Sequence, residues 1–152
     1  MKHRIKILVA AGVLALALFS AALAGPIEDM TRETLQKAEQ GDAWYQLLAC
    51  SLYEQGQGVP KDYAMAVAWC RKAADQGLAD AQIGLGWSYW NGEGVPKDYA
   101  MAYMWFNLAA AHGKDPTHAV PLAARWREQV AGMMTPAQIA EGQRLTREWK
   151  PK

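Results

Sequence analysis

The sequence predicts an all-α fold, an α/α solenoid of helical hairpins closed by capping helices. Three observations lead to this prediction. The nine residues GVPKDYAMA occur at 58–66 and again at 94–102. A shift of 36 residues aligns 41–76 with 77–112 and gives identical residues at 17 of the 36 positions. Both windows carry stretches with helical spacing, and a period of about 20 to 50 residues is typical of stacked supersecondary units.

The first helix of each hairpin is predicted over 43–55 and over 79–91, stretches without an internal proline. Gly56 and Gly92 follow as stop signals, because glycine tolerates the left-handed conformation at a helix C-terminus. The short connector Gly-Val-Pro-Lys comes next in both copies. The duplicated nonapeptide is therefore interpreted as the corner and second-helix start of each hairpin.

The second helix of each hairpin begins after Asp62 and Asp98. An aspartate at this position accepts hydrogen bonds from the free amides of the first turn. These helices are expected to reach about Gln76 and His112, where Gly77 follows the first of them and Gly113 the second.

Capping helices are expected at both ends, because the outer units of a solenoid cannot bury their apolar faces alone. Residues 25–40 are assigned to an N-terminal capping helix and 114–152 to C-terminal capping helices. In the second region Asp115-Pro116 marks one helix start, and Thr135-Pro136-Ala137-Gln138 forms a capping box with proline at the first helical position.

Residues 1–24 have the pattern of a signal peptide, with a positive start, an apolar run over 7–19 and the small residues Ala22 and Ala24. We expect cleavage after Ala24 and a periplasmic or secreted protein without a membrane span; the alternative is an uncleaved membrane anchor. Cleavage would change the formal net charge from +1 to −2. This charge gives no reason to expect nucleic-acid binding, which requires a clustered positive face.

The repeated units resemble the Sel1-like repeat, a relative of the tetratricopeptide repeat. The resemblance is carried by LGWSYWNGEGVPKDYAMAYMWFNLAAAHG at 85–113 and by GQGVPKDYAMAVAWCRKAADQG at 56–77. It implies one repeat over 41–76 and another over 77–113. It also implies a concave groove that holds a protein or peptide.

Comparison of the two copies separates framework positions from variable ones. On the first helix of each hairpin, Gln46 matches Gln82 and Tyr53 matches Tyr89, so this face is assigned to packing. The opposite face differs between the copies, and the resemblance places it in the groove. Its candidate partner-binding residues are Trp44, Leu47, Ser51, Asp80, Ile83, Trp87 and Trp90.

The tryptophans divide into three groups. Trp44, Trp87 and Trp90 are proposed as an aromatic platform, since rigid aromatics often anchor interfaces; the alternative is that they pack against the N-terminal helix or the next repeat. Trp69 and Trp105 repeat between the copies and are expected in the core. The remaining two, in the C-terminal cap, are expected to seal the end of the stack: Trp126 and Trp149.

The two cysteines occupy positions that face each other across the hairpin in related repeats. Cys50 aligns with Gly86, and Cys70 aligns with Phe106. The resemblance therefore implies a Cys50–Cys70 disulfide, with two buried free thiols as the alternative. No metal site is expected, because neither a histidine nor a third cysteine stands at ligand spacing.

No arrangement of residues indicates catalysis or a cofactor. After the leader, Ser51 and Ser88 are the only serines and His112 and His118 the only histidines, and none belongs to a recognisable triad. The favoured function is an interaction adaptor for a protein or peptide, with a weak homodimer through an open end of the short solenoid also considered. The alternatives are a cell-envelope enzyme of the β-lactam or peptidoglycan hydrolase type and a glycan-binding module.

Overall fold

The computed structural model describes residues 25–112 and 119–152. Within these ranges the chain forms seven helices and no strand, which confirms the predicted all-α solenoid. The predicted leader and the helix start at Asp115-Pro116 lie outside the described residues. The helices are α1 (25–39), α2 (Ala43–Gln55), α3 (Tyr63–Asp75), α4 (Ala79–Asn91), α5 (Tyr99–His112), α6 (Ala119–Ala131) and α7 (Pro136–Glu148).

The helices pack in the order of the chain. Helix α2 packs on α3 and α4 packs on α5 to form the two hairpins, while α3 also contacts α4 and so joins one hairpin to the next. Helices α6 and α7 both pack against α5. None of the described helices is long and apolar enough to cross a membrane.

The predicted punctuation of the helices is confirmed. Gly56 and Gly92 end α2 and α4 with φ of 70° and 78°, and their N–H groups donate to carbonyl oxygens of the preceding turn at 2.8 Å. Asp62 accepts from the first amides of α3 at 2.9 and 3.0 Å. Thr135 and Gln138 form the capping box of α7. These local signals are what make the second copy repeat the path of the first.

The glutamines that match between the copies join successive units. The side-chain amide of Gln46 donates to the Ala38 carbonyl at 3.2 Å, and that of Gln82 donates to the Ala74 carbonyl at 3.3 Å. Both glutamines are buried. A buried amide without a partner is costly, so this repeated bond explains why glutamine stands at both positions and confirms their assignment to packing.

The interior of the two hairpins is filled in different ways. In the first, a disulfide joins Cys50 and Cys70 across 5.2 Å between Cα atoms. In the second, the ring of Phe106 is fully buried against Gly86, where an added Cβ would overlap the ring. The predicted replacement of a glycine–phenylalanine pair by a cystine is therefore confirmed.

The repeated tryptophans lie in the core, as predicted. Trp69 is 7% exposed and Trp105 is 1% exposed. Trp149, which follows α7, meets Trp105 edge to face with 6.4 Å between ring centroids. The C-terminal residue Lys152 returns to α3, where its backbone N–H donates to the Asp75 carbonyl at 2.8 Å. The segment after α7 thereby contacts both hairpins, through Trp105 in the second and Asp75 in the first.

Candidate functional site

The seven candidate partner-binding residues lie on α2 and α4, the first helices of the two hairpins. Trp44 and Asp80 open these helices at equivalent positions and are both exposed, Trp44 at 54%. The other five are partly buried: Leu47, Ser51, Ile83, Trp87 and Trp90.

Trp44 is held at the surface by the start of its helix. Asp42 caps α2 and accepts a hydrogen bond from the Trp44 backbone N–H at 2.9 Å. Within the described part of the chain the Trp44 indole makes no ring–ring contact. The cap fixes the backbone of Trp44, and its ring remains available to solvent.

Trp87 and Trp90 belong to an aromatic cluster that also contains Phe106 and Trp126. The rings of Trp87 and Trp90 stack with centroids 4.9 Å apart and planes 7° apart. Trp126 of α6 meets Trp87 at 5.2 Å, edge to face, and Phe106 of α5 lies 6.0 Å from both stacked rings. Edge-to-face and offset-stacked pairs stabilise beyond the area that they bury. The cluster ties α4 to α5 and α6.

The structure therefore brings together two of the three tryptophans proposed as a platform, and the third stands apart in the first repeat. Trp126 was expected to seal the end of the stack, but its contact with Trp87 was not predicted, because the comparison of two copies carries no information on the C-terminal cap. A platform that includes Trp44 stays a prediction.

The position that Trp90 occupies in the aromatic cluster holds a charged residue in the first repeat. Glu54 of α2 aligns with Trp90 of α4. Burial, and after it the nearby Glu93 carboxylate, raise the pKa of Glu54 above its ordinary value, while the Lys61 ammonium acts in the opposite direction. The first repeat thus presents a partly buried carboxylate where the second presents an indole.

The remaining side chains of this face do not indicate a catalytic site. The Ser51 hydroxyl accepts a hydrogen bond from the Gln55 side chain at 2.8 Å. Among the described residues no group of three or more histidine, cysteine or carboxylate side chains could hold a metal ion. What the face offers is contact area: one exposed indole, partly buried apolar side chains and a few charges.

Tandem helical hairpins, whose first helices carry a surface that differs between the two copies, define an α/α solenoid repeat protein. A family model described as the Sel1 repeat matches residues 44–78 and 79–114. The chain therefore contains two Sel1 repeats, as the resemblance implied. Sel1 repeats are commonly protein-interaction modules and generally non-catalytic scaffolds.

The solved structures that are similar to this chain include two repeat proteins. One is a protective antigen present in uropathogenic Escherichia coli strains, which displays an SLR fold; it is 30% identical, with a TM-score of 0.73, and the match covers 80% of this chain and 25% of that one. The other is a Sel1 repeat protein from Oxalobacter formigenes, 38% identical with a TM-score of 0.57, matched over 64% of this chain and 26% of that one. The chain thus spans about a quarter of the length of either structure. No curated protein shows a significant match.

Proposed function

We propose that this chain is an interaction adaptor that binds a protein or peptide segment across the face formed by α2 and α4. The observation that carries the proposal is the exposure of Trp44, a large rigid aromatic at 54%, on a face where the two repeats differ. Tryptophans in such positions are enriched among residues that dominate binding energy. Asp80 occupies the equivalent place on α4 and supplies a charge that selects the partner.

The stacked pair Trp87 and Trp90 is assigned a second role on the same face. These rings are only partly buried, yet they are fixed by Phe106 and Trp126. Binding of a partner segment to these rings costs little side-chain entropy in this protein, because the neighbouring rings already restrict them. Leu47 and Ile83 supply apolar contacts beside the tryptophans.

The test compares Trp44→Ala with Tyr63→Ala. Tyr63 is also an exposed aromatic, at 38%, and it lies on α3, outside the proposed face. Envelope extract is passed over each immobilised variant, and the retained proteins are identified by mass spectrometry. We expect Trp44→Ala to lose about tenfold in affinity for the retained partner, the usual cost of a binding anchor, and Tyr63→Ala to match the wild type.

Three results would contradict the proposal. Equal retention by all variants would remove Trp44 from the binding face. Binding of purified cell-wall glycan in the absence of protein would assign the face to sugar recognition, and turnover of a chromogenic β-lactam would assign the chain to the hydrolases.

The proposed location is the periplasm or the exterior of the cell. The Cys50–Cys70 disulfide supports it, since disulfides persist in oxidising compartments. The description of one solved neighbour as a protective antigen agrees with this location. Mass analysis of the protein recovered from the envelope tests cleavage: we expect an N-terminus at Gly25, and an N-terminus at Met1 would favour the uncleaved membrane anchor. Recovery of the protein from the cytoplasm alone would contradict the proposed location.

A further inference from the structure

An open groove lies at the N-terminal end of the solenoid, away from the proposed partner-binding face. It has a volume of about 500 Å³. Two of its apolar side chains are among the most exposed in the described chain: Ile27 at 53% and Met30 at 69%. The groove is lined by Ile27, Met30, Thr31 and Thr34 of α1, Leu52 of α2 and the turn 56–58.

The repeat period identifies which surface of α1 this is. A shift of 36 residues places Met30 on Ala66 and Thr34 on Cys70 of α3. Ala66 and Cys70 are 1% and 2% exposed, and Cys70 is bonded to the preceding helix, α2. The exposed side of α1 therefore corresponds to the surface that the second helix of a hairpin packs against the first helix.

Leu52 supports the same conclusion from α2. Its equivalent in the second repeat is Ser88, which is 6% exposed and lies on α4, the helix that packs on α3 of the first hairpin. Leu52 is larger and apolar, yet it is only partly buried. The N-terminal end of the solenoid thus presents a repeat interface with one helix missing from the described residues. The missing helix would run antiparallel to α1, as hairpin helices do.

We propose that the groove is the interface of a homodimer, in which α1 of a second copy takes the place of the missing helix. A two-fold axis perpendicular to α1 makes the two copies of α1 antiparallel, and isologous interfaces of this kind are the commonest in soluble oligomers. Every molecule carries both an apolar ridge, Ile27 and Met30, and the groove beside it. In the dimer each ridge fills the groove of the other molecule.

The charges beside the groove permit this contact. The Arg32 guanidinium lies 3.0 Å from the Asp29 carboxylate, and the Lys37 ammonium lies 2.7 Å from Glu33. Each charge of these two pairs is therefore already opposed within its own helix. These two pairs therefore add no net charge to the contact between two copies of α1.

The test compares Met30→Glu with Met133→Glu. Both methionines are exposed, Met133 at 52%, so neither change disturbs the core, and Met133 lies in the turn after α6. The protein from the full-length gene is studied by sedimentation velocity between about 1 µM and 1 mM, a range that suits a contact smaller than a standard interface. We expect the wild type and Met133→Glu to dimerise with rising concentration, and Met30→Glu to dimerise at least about tenfold more weakly.

A second measurement locates the contact. The only two native cysteines are joined to each other, so Met30→Cys and Met133→Cys each introduce a single free thiol. We expect mild oxidation to link Met30→Cys into dimers faster than Met133→Cys. A wild type that stays monomeric at the highest concentration overturns the proposal. So does a dimer that Met30→Glu leaves intact, or equal linking of the two cysteine variants.

Discussion

Loss of the Cys50–Cys70 disulfide is predicted to destabilise the first hairpin selectively. The bridge joins α2 to α3 across a sequence separation of 20 residues. In the loop-entropy account a bridge of this span contributes about 3 kcal/mol by restricting the unfolded chain. The second hairpin fills the same place with Gly86 and Phe106 and contains no such bond, so reduction acts on one repeat and leaves the interior of the other intact.

The double variant Cys50→Ala/Cys70→Ala is compared with oxidised wild type by urea unfolding. A loss of about 3 kcal/mol corresponds to a fall in midpoint of about 1 to 3 M urea, given the slopes usual for small proteins. Hydrogen exchange then assigns the effect, because amides in α2 and α3 are expected to lose more protection than those in α5.

The control is the response to a reductant. The reductant should lower the urea midpoint of the wild type and leave that of the double variant unchanged. Equal midpoints for oxidised and reduced wild type would refute the reasoning, as would a loss of protection spread evenly over both hairpins.

Three further predictions concern stability. Gly86→Ala should lower the free energy of unfolding by about 1 to 2 kcal/mol despite the better helix propensity of alanine, because the added Cβ overlaps the buried Phe106 ring. Gly84→Ala is the matched control, since its Cβ would lie 3.2 Å from the Cys70 sulfur. An equal loss in the control would contradict the argument. Gln82→Ala should cost about 0.5 to 1.5 kcal/mol in urea unfolding through loss of its bond to the Ala74 carbonyl, which still accepts from the Gly77 N–H at 2.9 Å. A neutral result would show that this bond contributes nothing. Glu54→Gln should raise the melting temperature at neutral pH and have no effect at pH about 3.5. The pKa of Glu54 is raised in the folded state, so the folded protein is most stable when Glu54 is protonated, below about pH 4.3, and loses that stability as Glu54 ionises. A larger effect of this substitution in acid would reverse the sign and refute it.

The repeat made most of the fold predictable from the sequence. Identical residues in two copies, such as Gln46 and Gln82, were constrained by the same contacts, and helix ends were marked by glycines and aspartates with a local physical role. The 43–55 and 79–91 boundaries agree with α2 and α4 for this reason.

The surroundings of the candidate site were less predictable, because they depend on parts of the chain that are not duplicated. The contact of Trp126 with Trp87 joins a capping helix to a repeat, and no internal copy exists for comparison. The groove beside Met30 was missed because α1 reads as a polar helix, and only the shift onto Ala66 shows that its exposed face corresponds to a buried one.

Site-specific photo-crosslinking tests the central claim, that α2 and α4 carry the partner-binding face, most directly. A photoreactive amino acid is placed at residue 44, or at residue 68 on the exposed side of α3 as the control. After irradiation in the native envelope, we predict a discrete cross-linked product from position 44, with one partner identified by mass spectrometry, and none from position 68. The same product from both positions, or from position 68 alone, would contradict the claim.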